Sequence, residues 1–122
     1  MENDNEIDDI QIILPIRALS LNTICRITRG GHYYTNPKVI EFKEVIYGLI
    51  RNYQQIKGPV HVDYTFSFKG KRNVDLDNCL KILNDAIKNY LLEDDAMIMS
   101  ITAKKKMNCV SDQIYLHISK VV

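Results

Sequence analysis

The sequence has no long hydrophobic run, and this absence limits where the protein can work. None of its apolar segments approaches the length of about 20 residues that a transmembrane helix needs. The N-terminus, MENDNEIDD, is acidic, whereas a signal peptide would be basic and then apolar. We therefore expect a cytoplasmic protein (in the nucleoid, or in the cytoplasm of a phage-infected cell) with no membrane partner.

Cysteine is also scarce. Cys25, Cys79 and Cys109 are an odd number of cysteines and include no C-x-x-C pair. This pattern indicates neither a disulfide framework nor a zinc site. We expect three free thiols.

A large excess of one charge is missing as well, because the net charge is only +1. The charges are unevenly distributed, however. Residues 1–9 hold five of the 15 acidic residues and no basic ones, so 16 basic residues face 10 acidic ones from residue 10 onward. We expect residues 1–9 to be a disordered acidic tail and residues 10–122 to be one domain with a basic surface, as in many proteins that bind nucleic acid.

Two elements of this domain are well marked. Apolar and polar residues alternate strictly over residues 60–68, which predicts a strand with one buried face. A helix then follows Asp75, with one apolar stripe at steps of three and four residues. The residues of that stripe are Leu76, Leu80, Leu83, Ile87 and Leu91.

The other elements have weaker signals. We predict a strand at 10–14, a long loop at 15–36, a helix that begins at Pro37, a strand from Met97 through Ile101, and a strand at 114–118 that pairs with it as a hairpin. The apolar residues of the first helix are Ile40, Val45, Leu49 and Tyr53, with Phe42 and Ile46 beside them. The predicted fold is α+β, a mixed sheet with two helices in the order β-α-β-α-β-β.

The acidic residues around the second helix suggest chemistry. Asp75 and Asp77 open the helix, and Lys81 lies one turn beyond Asp77 on the same face. A second acidic cluster, Glu93 with Asp94 and Asp95, follows the end of the helix and can meet the first only if the chain folds back. Carboxylates beside a lysine at a helix N-terminus are suited to a divalent cation and a phosphate.

Simpler interpretations compete with this one. Asp75 is also a good helix cap, and Asp77 with Lys81 could be an ordinary surface ion pair. An EF-hand fits worse, because the third ligand and the glycine of its loop are absent. An aspartyl-phosphate phosphatase also fits worse, since its D-x-D would directly follow a buried strand.

Basic residues flank the carboxylates and strengthen the phosphate hypothesis. They could line a groove for a polyanion, although lysine runs are often merely solvated. The residues are Lys69, Lys71 and Arg72 before the first cluster, Lys104, Lys105 and Lys106 after the second, and Arg26, Arg29 and His32 in the long loop. Tyr33 and Tyr34 could stack on bases or pack against the first helix. His61 and His117 form no ligand or triad pattern, and we assign them no chemistry.

These residues together resemble the RusA family of Holliday-junction resolvases. The resemblance rests on the run KRNVDLDN at 71–78, on Lys81, and on LEDD at 92–95, and it extends loosely over residues 10–119. Ser20 with Asn22, followed by the basic loop at 26–34, is similar to a further family segment. The chain lacks the family's tandem prolines after the first strand, has a shortened arginine run and adds an acidic tail.

The resemblance implies a homodimeric, Mg²⁺-dependent endonuclease, with Mn²⁺ as a substitute, that nicks two strands of a four-way DNA junction symmetrically. It implies that Asp75, Asp77 and Asp95 are the catalytic metal ligands and that Lys81 contacts the scissile phosphate. Asn78 and Asp94 would support the site. Two alternatives stay open: a non-catalytic DNA-binding protein with this fold, and a general metal-dependent nuclease for flaps or single strands.

Overall fold

The computed structural model describes residues 6–20, 25–27, 29–31, 33–71 and 74–121, with the backbone alone for residues 25–27, 33 and 34. Its elements, in chain order, are β1 (Asp9–Leu14), β2 (Cys25–Ile27), β3 (Tyr33–Thr35), α1 (Pro37–Ile50), β4 (Val60–Ser67), α2 (Leu76–Ile87), a short 3₁₀ helix (Asp95–Met97), β5 (Ile98–Lys106) and β6 (Gln113–Lys120). The predicted α+β class, the mixed sheet and the order β-α-β-α-β-β are confirmed. The segment predicted as a long loop contributes the additional antiparallel pair of β2 and β3.

The sheet has the order β1-β6-β4-β5. β4 and β5 are parallel because α2 carries the chain from the end of β4 back to its beginning, where β5 starts. β6 is antiparallel to both β1 and β4. The predicted hairpin of the last two strands is therefore wrong: the connection after β5 crosses the end of β4, where Asn108 N–H donates to Gly70 O and Cys109 N–H donates to Phe68 O.

One face of the sheet carries the core. Val60, Val62, Tyr64 and Phe66 of β4 are buried with alternate residues of β1 and β6 and with the inner sides of both helices. The residues between them face the other side, which is more exposed. The alternation predicted for residues 60–68 is confirmed as far as Phe66, whereas Ser67 and Phe68 are both buried.

The first helix turns a different side to the core from the one its sequence suggests. Asn36 caps it by accepting the Lys38 N–H at 3.0 Å, and Pro37 occupies its first turn. Its buried residues are Val39, Phe42, Ile46 and Ile50. Ile40, Val45, Leu49 and Tyr53 are instead exposed by 38–48%. The prediction was wrong because α1 is apolar on most sides, so its periodicity does not single out one face.

The helix α2 begins where its cap predicts and ends earlier than its stripe suggests. Its last residue is Ile87, and Leu91 is buried in the turn beyond it. Cys79, Ile82 and Ala86 are buried, whereas Leu76 and Leu80 are only partly buried. Within the described ranges, no helix is long and apolar enough to cross a membrane.

The predicted acidic tail is described only in part, because residues 1–5 lie outside the described residues. Lys120 N–H donates to Asp8 O at 2.9 Å, and the Lys120 ammonium lies 3.1 Å from a Glu6 carboxylate oxygen. Asp9 is already the first residue of β1. Residues 6–9 are therefore joined to β6.

Candidate active site at the ends of α2

The N-terminal mouth of α2 presents two carboxylates to solvent. Asp75 is the N-cap, and its Oδ1 accepts the Asp77 N–H at 3.1 Å. Its carbonyl oxygen accepts the Cys79 N–H at 3.3 Å. Both Asp75 and Asp77 are exposed. Asp75 can therefore cap the helix and also belong to the candidate site, because capping uses only one of its carboxylate oxygens.

Two residues from distant parts of the chain hold the backbone of this mouth. Ser20 Oγ donates to the Asp75 carbonyl at 3.3 Å, and Lys105 Nζ donates to the Val74 carbonyl at 2.5 Å. Val74 itself is buried. The peptides around Asp75 are thus fixed from the segment after β1 and from β5. The sequence alone indicates neither contact, because Ser20 and Lys105 are both distant from the mouth along the chain.

The second acidic cluster is anchored behind the far end of α2. Leu91 and Leu92 are fully buried, and Ile56 N–H donates to Leu91 O at 2.9 Å. The Glu93 carboxylate accepts the Gly58 N–H at 2.7 Å, so this acid has a structural partner. Asp94 and Asp95 are exposed. The chain therefore turns back after α2, as the sequence required if the clusters were to approach each other.

After this turn, Asp95 lines the same cleft as Lys81. Both residues line a cleft of about 310 Å³ between α1 and α2, together with Val39, Lys43, Ile82, Asn84 and Asp85. Asp85 forms ion pairs with Lys43 and, at 3.1 Å, with Lys88. The hydrogen bond from Lys43 holds the pKa of Asp85 below its usual value, and Lys88 adds to this effect.

Among the described residues, Asp95 does not form one metal-binding group with Asp75 and Asp77. The helix has 12 residues, which corresponds to a length of about 18 Å. Asp75 is at one end, while Asp95 and Asp94, after Asp85, help to raise the pKa of Lys88 at the other. Across the described residues, no three or more His, Cys, Asp or Glu side chains lie close enough to hold a metal ion. The predicted set is thus divided between the two ends.

The loop that carries the basic residues before α2 is held in place by contacts with Asp112. Lys69 and Lys71 are exposed, and Arg72 lies outside the described residues. Asp112 accepts the Lys69 backbone N–H at 2.8 Å and pairs with Arg17 at 2.9 Å, and these contacts lower the pKa of Asp112. The Arg17 guanidinium also lies 5.0 Å from the centre of the Phe68 ring. Sequence reasoning missed these contacts, because neither Arg17 nor Asp112 belongs to a local motif.

The three lysines of β5 do not form one surface. In the register with β4, Lys104 lies beside Thr65 and Lys106 beside Ser67, whereas Lys105 lies beside Phe66. Because neighbouring strand residues point to opposite faces, Lys105 is on the side of α2 and the other two are on the open face. Because successive side chains of a strand point to opposite faces, this division of the three lysines could have been predicted once they were assigned to β5.

The remaining predicted residues have less structural definition. Arg29 is exposed in a turn, and Arg26 lies in β2 with only its backbone described. Asn22 and His32 lie outside the described residues. His61 bonds to Ser100 and His117 to Asp9, so each histidine has a polar partner on its own side of the sheet.

A comparison with protein families gave a match over most of the chain. The family model for the endodeoxyribonuclease RusA matches residues 19–119, a range that contains every candidate site residue. A comparison with curated proteins gave no match.

Proposed function

Because this chain belongs to the RusA family of endodeoxyribonucleases, which cleave Holliday junctions, we propose that it is a Mg²⁺-dependent resolvase that acts as a homodimer. Each of its two active sites would hydrolyse one phosphodiester bond, so that a four-way junction is nicked symmetrically. A C₂ dimer is the simplest arrangement that supplies two equivalent sites for two symmetric cuts.

The observation that carries this proposal is the mouth of α2, where two exposed carboxylates project from a fixed backbone. Mg²⁺ uses one or two protein carboxylates and completes its shell with water and substrate phosphate. Asp75 retains the oxygen that does not cap the helix, and the exposed Asp77 is its neighbour. This donor set fits Mg²⁺, with Mn²⁺ as a substitute. The ion would polarise a phosphoryl oxygen of the scissile phosphate.

Other residues of the chain would bind and orient the phosphate. The N-terminus of a helix favours anions through its unpaired N–H groups. Lys81, one turn beyond Asp77, would add a fixed positive charge near the phosphate, where charge develops during hydrolysis. Asn78 would support the mouth. Lys69 and Lys71 are on the exposed loop that leads to it, and this supports a role for them in binding the DNA backbone.

Asp95 would be the third catalytic carboxylate by its position in the family pattern, with Asp94 beside it. Its place in the cleft with Lys81 supports a connection to the site. Since Asp75 lies toward the opposite end of α2, Asp95 of one chain would complete the carboxylate set most readily at the mouth of a second chain.

The decisive experiment compares a four-way junction with linear duplex and flap DNA of the same sequence, in Mg²⁺ and in a chelator. We expect paired nicks in the junction only, and only with the metal. Equal cleavage of flap or single-stranded DNA would instead indicate a general nuclease, and junction binding without cleavage would indicate a DNA-binding protein. Sedimentation should give a dimer at micromolar concentration; a monomer alone would contradict the proposal.

A further inference from the structure

We propose that Lys105 is a positioning residue of the active site. It would act through the Val74 carbonyl and fix the peptide from which Asp75 projects, rather than bind DNA together with its neighbours in β5. This inference rests on the proposed function of Asp75, but its structural part can be tested separately.

The contacts around Asp75 carry the argument. Lys105 Nζ donates to Val74 O at 2.5 Å, Ser20 Oγ donates to Asp75 O at 3.3 Å, and Asp75 Oδ1 accepts the Asp77 N–H. Two successive carbonyl groups are therefore held by side chains from two segments that are remote in sequence, the one after β1 and β5. Only the bond from Lys105 has a charged donor, and such hydrogen bonds are the stronger kind.

The register explains why this role falls to Lys105 alone. Lys105 pairs with Phe66, which belongs to the core face, while Lys104 and Lys106 pair with Thr65 and Ser67. Of the three consecutive lysines, Lys105 therefore makes a structural contact, whereas Lys104 and Lys106 lie on the more exposed face of the sheet. Lys104 and Lys106 are consequently matched controls for the loss of one positive charge from the same strand.

The test measures amide hydrogen exchange in Lys105→Met, Lys104→Met and Lys106→Met. The reporters are the Asp77 and Cys79 amides, which bond to the Asp75 carboxylate and carbonyl. We expect Lys105→Met to speed their exchange about tenfold, the effect of losing a hydrogen bond to a charged group. The two controls should leave these amides unchanged. Lys105→Arg should restore slow exchange because it retains a charged donor.

Kinetics supply the second measurement. Lys105→Met should lower kcat about tenfold with an unchanged Kd for the junction, whereas Lys104→Met and Lys106→Met should weaken junction binding. Equal exchange in all three variants, or a loss of junction affinity as the main effect of Lys105→Met, would overturn the inference. Should Lys105→Met fail to fold, Lys105→Gln serves in its place. A wild-type protein that cleaves no junction would refute the proposed function, and the exchange result would still decide the positioning role.

Discussion

The two ends of α2 carry the same kind of acidic cluster but use it differently. At the mouth, hydrogen bonds hold the backbone, while the Asp75 and Asp77 carboxylates stay exposed. At the far end, Glu93 accepts a backbone N–H, and Lys88 carries a raised pKa beside the acids of that end. A fixed backbone with exposed carboxylates is suited to binding a cation, whereas Glu93 at the far end stabilises the turn that carries the exposed Asp95. Acidic clusters in a sequence are therefore not interchangeable, and each end can be tested.

The largest effect is expected at the mouth. Asp75→Asn should reduce junction cleavage by about 1000-fold, because it removes a charge that would hold the metal and stabilise the transition state. Asparagine caps helices as well as aspartate does, so the fold and junction binding should persist. Cleavage assays, gel-shift titration and thermal unfolding measure the three properties. Undiminished nicking by this variant would refute the assignment.

A mixture of two inactive variants tests whether the Asp75 and Asp95 of one active site come from the same chain or from two chains. Asp75→Asn and Asp95→Asn should each be inactive alone. In a mixed dimer whose sites are built across two chains, one site would be intact and the other would carry both substitutions. We expect such mixtures to recover single nicks but no paired cuts, as seen on a denaturing gel. Complete inactivity of the mixture would mean that each site is built within one chain.

Lys81 lies between the two ends and should have an intermediate effect. Lys81→Met is expected to lower kcat about 100-fold through the loss of a fixed positive charge near the phosphate. The matched control is Lys43→Met, which removes a lysine that lines the same cleft but pairs with Asp85. That control should change stability more than kcat. If the two variants lose equal activity, the charge of the whole cleft rather than Lys81 is responsible.

The smallest effect should come from the far end as the pH is lowered. Because ion pairs lower the pKa of Asp85, its contribution to stability is present above the ordinary carboxyl pKa of about 4 and is lost as the pH falls below it. Asp85→Asn should cost about 0.5 kcal/mol at pH 7, since half-exposed ion pairs contribute little. Urea unfolding at pH 7 and pH 3 should show this difference only at the higher pH.

Features fixed by neighbouring residues were predictable from the sequence. The alternation of β4 and the cap of α2 follow from local chemistry, and both are confirmed. The buried face of α1 was not predictable, because Ile40 and Val39 are equally apolar and only packing distinguishes them. The insertion of β6 between β1 and β4 was also hidden, since a short connection normally indicates a hairpin.

The candidate site, like the fold, has features that could be predicted from the sequence and others that could not. The helical positions of Asp75, Asp77 and Lys81 could be predicted from spacing alone. The contact of Lys105 with Val74 required the parallel register of β4 and β5, a non-local property. The place of Asp95 depends on how far the buried Leu91 and Leu92 carry the chain beyond α2.

The central position of β6 has a consequence for biosynthesis. Of the four strands in the sheet it is the last to be translated, yet it joins β1 to β4. On the ribosome, β1 must therefore wait for its partner while nearly the whole domain is made, and such long-range closure slows folding. The nascent chain can form the β4-α2-β5 unit early, but it cannot complete the sheet that supports a resolvase until synthesis of the domain is almost finished.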